Sequence, residues 1–184
     1  MCDDPEVAVD VIYETHSITE DNERGIATGW LEGRLSERGR ALAAELGRRR
    51  RNDGVDAVFS SDLGRAVETV EIAFAGTDIP LRQDARLREC SYGELNGAPV
   101  DVIDAQRLAR IDDPFPGGES LRGAVDRLGD FLDELARTHD HQRVVVVAHS
   151  AQRWGFEHIM KGTPLDQLIN APFEWQAGWE YTYG

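Results

Sequence analysis

Gln142-Arg143-Val144-Val145-Val146-Val147-Ala148-His149-Ser150 is the stretch that decides the fold. Four consecutive β-branched residues favour a strand, and a run that is apolar on both faces fits a strand covered from both sides, as in a parallel sheet. The run stops at a histidine and a serine. Val7-Ala8-Val9-Asp10-Val11-Ile12-Tyr13 has the same character and runs into Glu14-Thr15-His16-Ser17. Asp56-Ala57-Val58-Phe59-Ser60 reads as another strand. Ile79-Pro80-Leu81 reads as a short one near a sheet edge, because Pro80 has no N–H for a ladder.

Helical patterns lie between these runs. Ser36 is a good N-cap for a helix that carries Leu42 and Leu46 and ends in Arg48 to Arg51, where cations suit the dipole. Asp62 to Phe74 places Leu63, Ala66, Val67, Val70 and Phe74 at helical spacing. Val100 to Ile111, Glu119 to Arg137 and Gln152 to Met160 are three more helices, the second with Leu121, Val125, Leu128, Leu132 and Leu135 in one stripe. Ser17 to Leu35, with Gly25, Gly29 and Gly33, is a long loop, and loops of that length are usually functional. Arg86 to Gly97 is a polar loop and Pro114 to Gly118 a turn. The aromatic tail from Phe173 to Tyr183 reads as a final edge strand. The alternation of strands and helices predicts an α/β fold. It is a three-layer α/β/α sandwich with a mostly parallel sheet, one domain over 1–184.

The composition narrows the partners. The 184 residues include 34 Asp and Glu against 20 Lys and Arg, a formal net charge of −14. Such a surface repels nucleic acid and anionic lipid, so neither is an expected partner. Of the 20 cations, 19 are Arg, with Lys161 alone as Lys, so an anionic ligand would meet the planar fork of an arginine. Cys2 and Cys90 form no disulfide framework and no C-x-x-C pair. With an acidic N-terminus where a signal peptide would be basic, they point to the cytoplasm. The longest apolar run, Val144 to Ala148, is far too short to span a bilayer. An exposed aromatic tail (Trp175, Trp179, Tyr181, Tyr183) could serve a homodimer, though core or edge packing is its ordinary use.

In open α/β sheets, ligands bind beyond the carboxyl ends of the strands. His16 and His149 both sit there, each followed by Ser. One histidine at a strand end is ordinarily structural; two at equivalent ends are a stronger sign. His139, His141 and His158 fall on a helix end, a loop and a helix, as surface or packing residues. Arg65 lies in the first turn of its helix, where backbone N–H groups favour an anion. Glu89 supplies a carboxylate in the polar loop, although a single Glu in so acidic a chain is usually solvated surface.

These segments in order resemble the histidine phosphatase superfamily, the phosphoglycerate mutase-like fold. Thr15-His16-Ser17-Ile18-Thr19-Glu20-Asp21-Asn22 matches the family's Arg-His-Gly-x-Thr-x-x-Asn at His, Thr and Asn. Gly29 with Leu35-Ser36-Glu37-Arg38-Gly39 is similar to its next segment, and Ser60-Ser61-Asp62-Leu63-Gly64-Arg65-Ala66-Val67-Glu68-Thr69 matches its Ser-Ser-x-Leu-x-Arg-Ala-x-x-Thr throughout. Leu87-Arg88-Glu89 with Tyr92, Gly93 and Gly97, the turn Phe115-Pro116-Gly117-Gly118-Glu119-Ser120, and Val147-Ala148-His149 with Arg153 follow in register. The resemblance implies roles. His16 is the nucleophile, forming a phosphohistidine. Glu89 is the general acid and then the base. Arg65, His149 and Asn22 hold the phosphoryl oxygens. Thr15, Ser17, Thr28, Gly29 and Ser150 complete the phosphate- and substrate-binding set. No metal and no cofactor is implied, and the partner is a small phosphorylated metabolite.

The family's arginine before the nucleophile is Thr15 here, and the glycine after it is Ser17. A charge-assisted hydrogen bond is worth roughly 1.5–3 kcal/mol, so its loss costs on the order of 10- to 150-fold in binding or rate. Arg24, Arg86, Arg88 or Arg153 could replace it, the substrate could be unusual, or catalysis could be lost, leaving a phosphate-ligand-binding or interaction domain. Phosphatase is favoured over mutase, because the position after Glu89 is Cys90 where the mutases carry Arg, and their insertion is missing. Substrate contacts are expected from the loop between Tyr92 and Phe115. A phosphotransferase or isomerase of a biosynthetic pathway is the further alternative.

Overall fold

The computed structural model describes residues 8–172 and 174–184, so Cys2, Val7 and Phe173 lie outside the described residues. The first strand, β1, spans Val9–Thr15. The long loop expected after it is partly ordered into a one-turn helix, α1 (Glu20–Glu23), and a short strand, β2 (Ile26–Ala27). The helix α2 covers Glu37–Arg50, and the Ser36 side chain accepts from the Gly39 N–H, as its N-cap position requires. Strand β3 (Ala57–Ser60) leads into α3 (Gly64–Ala73).

Strand β4 (Leu81–Gln83) starts two residues later than its sequence suggests: Pro80 contributes only its carbonyl, which accepts the Val58 N–H, and regular pairing begins after it. Short strand β5 (Ala98–Pro99) pairs with β2. The helix expected over 100–111 is broken into α4 (Val100–Asp104) and a 3₁₀ turn at Arg107–Arg110. Helix α5 (Leu121–Thr138), strand β6 (Arg143–Ala148) and helix α6 (Ser150–Lys161) fall where the patterns put them. A short helix, α7 (Leu165–Asn170), and strand β7 (Trp179–Tyr183) close the chain.

The main sheet has the order β4-β3-β6-β1-β7. β1 and β3 run parallel to β6, and β4 parallel to β3, while β7 is an antiparallel edge on β1. One face packs Val9, Val11, Tyr13, Val144 and Val146 against Leu128, Phe131 and Leu132 of α5 and Phe156 of α6. The other packs Ile12, Val58, Val145 and Val147 against Leu46 of α2 and Val70 of α3. This is the mostly parallel, helix-covered sheet the alternation predicts. A third cluster, including Cys90, Tyr92, Ile103, Phe115 and Ile169, fixes the loops above the sheet. In the tail, Trp179 and Tyr181 are buried and Trp175 is exposed. Among the described residues no helix is long and apolar enough to cross a membrane.

Candidate active site

The carboxyl ends of β1, β3 and β6 deliver His16, Ser61 with Arg65, and His149 to one place, and the loop after β4 brings Glu89 to them. The His16 N–H donates to the Ala148 carbonyl at 2.9 Å, continuing the β1–β6 ladder by one residue. Its ring nitrogen Nδ1 lies 2.8 Å from the Ser17 carbonyl. A carbonyl only accepts, so Nδ1 carries the hydrogen and Nε2 keeps its lone pair free. Burial first, and then the Arg65 charge, push the His16 pKa down to about 3, so the ring is neutral over the physiological range.

The His149 ring stands 5.0 Å from the His16 ring, centroid to centroid. Its Nε2 is 2.6 Å from Ser61 Oγ, and its backbone carbonyl accepts the Tyr13 hydroxyl at 2.5 Å. With the Ser61 proton directed to Nε2, the ring's own hydrogen sits on Nδ1, which has no protein partner among the described residues. Burial and the Arg65 charge hold His149 well below the usual histidine range. Arg65, only 2% exposed, donates to the Gly29 carbonyl at 2.8 Å and the Leu31 carbonyl at 3.3 Å. Gly29 adopts a φ of 55°, and a Cβ there would fall 1.9 Å from Asn96 Oδ1, so only glycine lets its carbonyl face Arg65.

Glu89 is 8% exposed and sits at the start of α6. Its Oε1 accepts the N–H groups of Cys90 (2.8 Å) and Ala151 (3.2 Å), and Oε2 that of Ser150 (3.2 Å). Its own carbonyl accepts from Trp30 Nε1 at 2.6 Å and Arg127 Nη2 at 2.9 Å. The neighbouring Cys90 is buried, which pushes its thiol up and leaves it unreactive.

The expected binding residues divide. The Asn22 Oδ1 accepts the Thr19 N–H in a reciprocal capping box, leaving Nδ2 to donate. Ser17 Oγ donates to the Gly39 carbonyl at 2.6 Å, and its N–H donates to Thr69 Oγ1, so its hydroxyl fixes the backbone after His16 to α2. Thr28 donates to Asp21 at 2.9 Å. Ser150 uses its backbone N–H on Glu89. Thr15 is half-buried. The four arginines that might have replaced the one missing before His16 are all committed: Arg24 to Asp21, Arg86 to Asp84 and Glu134, Arg88 to Asp62, and Arg153 to Glu157. His139 packs on Phe59, His158 faces the Thr163 carbonyl, and His141 is exposed.

Ser61, Thr69, Trp30 and Arg127 were not singled out in the sequence. Ser61 and Thr69 lie inside a matching motif and could have been found there. Nothing distinguishes Arg127 from the other arginines of α5 until the chain is folded. Among the described residues no group of three His, Cys, Asp or Glu is placed to hold a metal ion.

The family model for the histidine phosphatase superfamily (branch 1) matches residues 15–177. The chain belongs to that superfamily. Phosphoserine phosphatase 1 of Hydrogenobacter thermophilus is 33% identical over 171 residues, covering 87% of this chain and 80% of that protein. A 2,3-bisphosphoglycerate-dependent phosphoglycerate mutase of Methylobacterium radiotolerans is 36% identical over 173 residues, covering 86% and 82%. Among solved structures, Bacillus stearothermophilus YhfR superposes with a TM-score of 0.82 at 28% identity, covering 92% of this chain and 88% of that one. A mycobacterial glucosyl-3-phosphoglycerate phosphatase in complex with VO3 gives 0.74 at 28%, covering 88% and 85%.

Proposed function

We propose that the protein hydrolyses a small phosphomonoester through a phosphohistidine at His16. The observation that carries this reading is the freed Nε2 of a neutral His16, fixed by the Nδ1 bond to Ser17 and facing His149. In the first step Nε2 bonds to phosphorus, the phosphorus–oxygen bond to the alcohol breaks, and Glu89 delivers a proton to the departing oxygen. In the second, water attacks phosphorus, Glu89 takes its proton, and the phosphorus–nitrogen bond breaks. Arg65 and the Nδ1–H of His149 oppose the charge on the phosphoryl oxygens, which is where phosphoryl transfer needs the protein most.

Hydrolysis is favoured over transfer to a second phosphorylated site. The residue after Glu89 is the buried, apolar Cys90, and Arg88 on the other side is held by Asp62 at 2.5 Å. Relatives bear both phosphatase and mutase names, so they leave that choice to these residues. The proposed reaction is metal-independent. The test is p-nitrophenyl phosphate turnover in EDTA by the wild type and by His16→Ala. The expected outcome is activity that persists in chelator and falls at least about a thousandfold in the variant. Equal rates in the two proteins would overturn the reading.

A further inference from the structure

Gln152 is fully buried, and neither its Nε2 nor its Oε1 has a hydrogen-bond partner among the described residues. An amide orphaned at both ends is rare in a native core and calls for an explanation. Among the described residues the only ring atom in the same condition is Nδ1 of His149, three residues earlier and part of the site.

The packing register shows what Gln152 faces. Phe156 of α6 packs on Tyr13 of β1, ring centroids 5.1 Å apart. Helix α6 follows a strand parallel to β1, so it runs back along the sheet from the carboxyl edge. Four residues toward its N-terminus cover about 6 Å. Two residues along β1 from Tyr13 to Thr15 cover about 6.6 Å in the same direction. Gln152 and Phe156 share one helix stripe, and Tyr13 and Thr15 share one sheet face. This register brings Gln152 to the level of Thr15, as Phe156 is at the level of Tyr13. Thr15 is the position where the family pattern carries a guanidinium, and its short side chain leaves room beside the nucleophile for a long one from α6.

We propose that the Gln152 carboxamide recognises the phosphoryl group in place of that guanidinium: Nε2 donates to one phosphoryl oxygen and Oε1 accepts from a protonated one, so the site takes the phosphate as its monoanion. An arginine has five donors and no acceptor, whereas an amide has both, and both are left open here. The charged and titratable groups around this position are Tyr13 on β1 and His16 after it, Arg65 on α3, Glu89 and Tyr92 in the loop after β4, Arg127 on α5, and His149 and Arg153 at and after the head of α6. Arg65 is the cation whose charge acts most on both rings, while Arg127 is bound to Glu119 and to the carbonyls of Arg86 and Glu89. The inference rests on the phosphatase reading and refines which ionic form of the substrate is bound.

The test is calorimetric binding of inorganic phosphate at about pH 5 and about pH 9, below and above its second ionisation, to the wild type, Gln152→Leu and Gln152→Met. The wild type should bind more tightly at the lower pH. Both variants should lose about tenfold or more there, and the pH preference should flatten. Their urea midpoints should equal or exceed the wild type's, because an orphaned amide has been replaced by an apolar side chain, and a merely structural glutamine would not combine gained stability with lost binding. Unchanged binding in the variants overturns the proposal, as does a loss that is equal at both pH values. Variants that unfold also overturn it, since they would show the amide to be satisfied within the protein. If the wild type neither binds phosphate nor shows His16-dependent turnover, it is the phosphatase reading that fails.

Discussion

Glu14 and His16 are two residues apart, yet their surroundings follow opposite rules. Glu14, 2% exposed, is bound by Arg50 at 2.9 Å and Arg49 at 3.3 Å. Arg50 goes on to Asp53 and to the Ala177 carbonyl, and Asp53 to Arg143. Every charge in that cluster has an opposite charge. Around His16 the cation is held by neutral carbonyls, the two rings are uncharged, and Nδ1 of His149 and the amide of Gln152 have no partner among the described residues. The first arrangement is satisfied within the protein and ties β1, α2, β6 and the segment before β7 together. The second leaves polar groups without protein partners among the described residues. In a chain of −14 net charge, many arginines are paired with carboxylates, whereas Arg65 is held by carbonyls and keeps its charge uncompensated by an ion pair.

The contrast breaks most severely if Arg50 is removed. Arg50→Met leaves Glu14 buried with only Arg49, and stranding a buried charge costs about 3–5 kcal/mol. Urea denaturation should show a loss near the lower end of that range, because Arg49 stays. A loss below about 1 kcal/mol would mean that the cluster is solvated and the contrast is not real.

That difference explains how much was legible in the sequence. The strands and major helices could be read because β-branched runs and 3.6-residue stripes are local properties. His16, Arg65 and His149 could be picked out as candidates because each sits in a motif just past a strand's carboxyl end, and Glu89 because it sits in a motif in the loop after β4. The one-turn helix after Thr19 leaves no periodic signal in the sequence, because only the mutual bonds of Thr19 and Asn22 define it. Helix α7 carries too little periodicity in six residues. Which arginine goes to which carboxylate depends on contacts across the chain, such as Arg88 with Asp62 or Arg127 with Glu119, that no local pattern encodes. Thr15 was visible as a gap, but Gln152 became its counterpart only when α6 was laid on β1.

A second prediction sharpens the comparison through pH. In the unfolded chain a histidine titrates near 6.5. His16 in the fold is held down to about 3 by burial and by Arg65, and His149 is held down as well. Below about pH 6.5 the unfolded state takes up protons that the native state refuses, so stability falls as pH falls toward 3, by up to about 1.4 kcal/mol per pH unit for each ring. In the paired cluster, burial raises the Asp53 pKa, but the Arg50 and Arg143 guanidiniums outweigh it, and the net shift is downward. Its contribution is therefore present above the ordinary carboxylate range and is lost only at lower pH. Urea midpoints of the wild type and His16→Asn between about pH 4 and 6 should diverge, the variant having the shallower slope. Parallel slopes would show that His16 is not held neutral by the fold.

The smallest expected effect concerns how the backbone of Glu89 is held in the site region. The Glu89 backbone is fixed by the Trp30 indole N–H and by Arg127, and Arg88 stacks 4.6 Å from the Trp30 ring while paired to Asp62. Trp30→Phe keeps an aromatic ring under Arg88 and deletes one neutral hydrogen bond, worth about 0.5–1.5 kcal/mol. If that bond positions the general acid, kcat should fall about two- to tenfold with KM nearly unchanged, because the loss falls on the transition state. A change in KM alone would place Trp30 against the substrate instead. No change in either would mean that Arg127 suffices to hold Glu89. The site would then share the redundancy of the Glu14 cluster, where a second arginine also backs up the first.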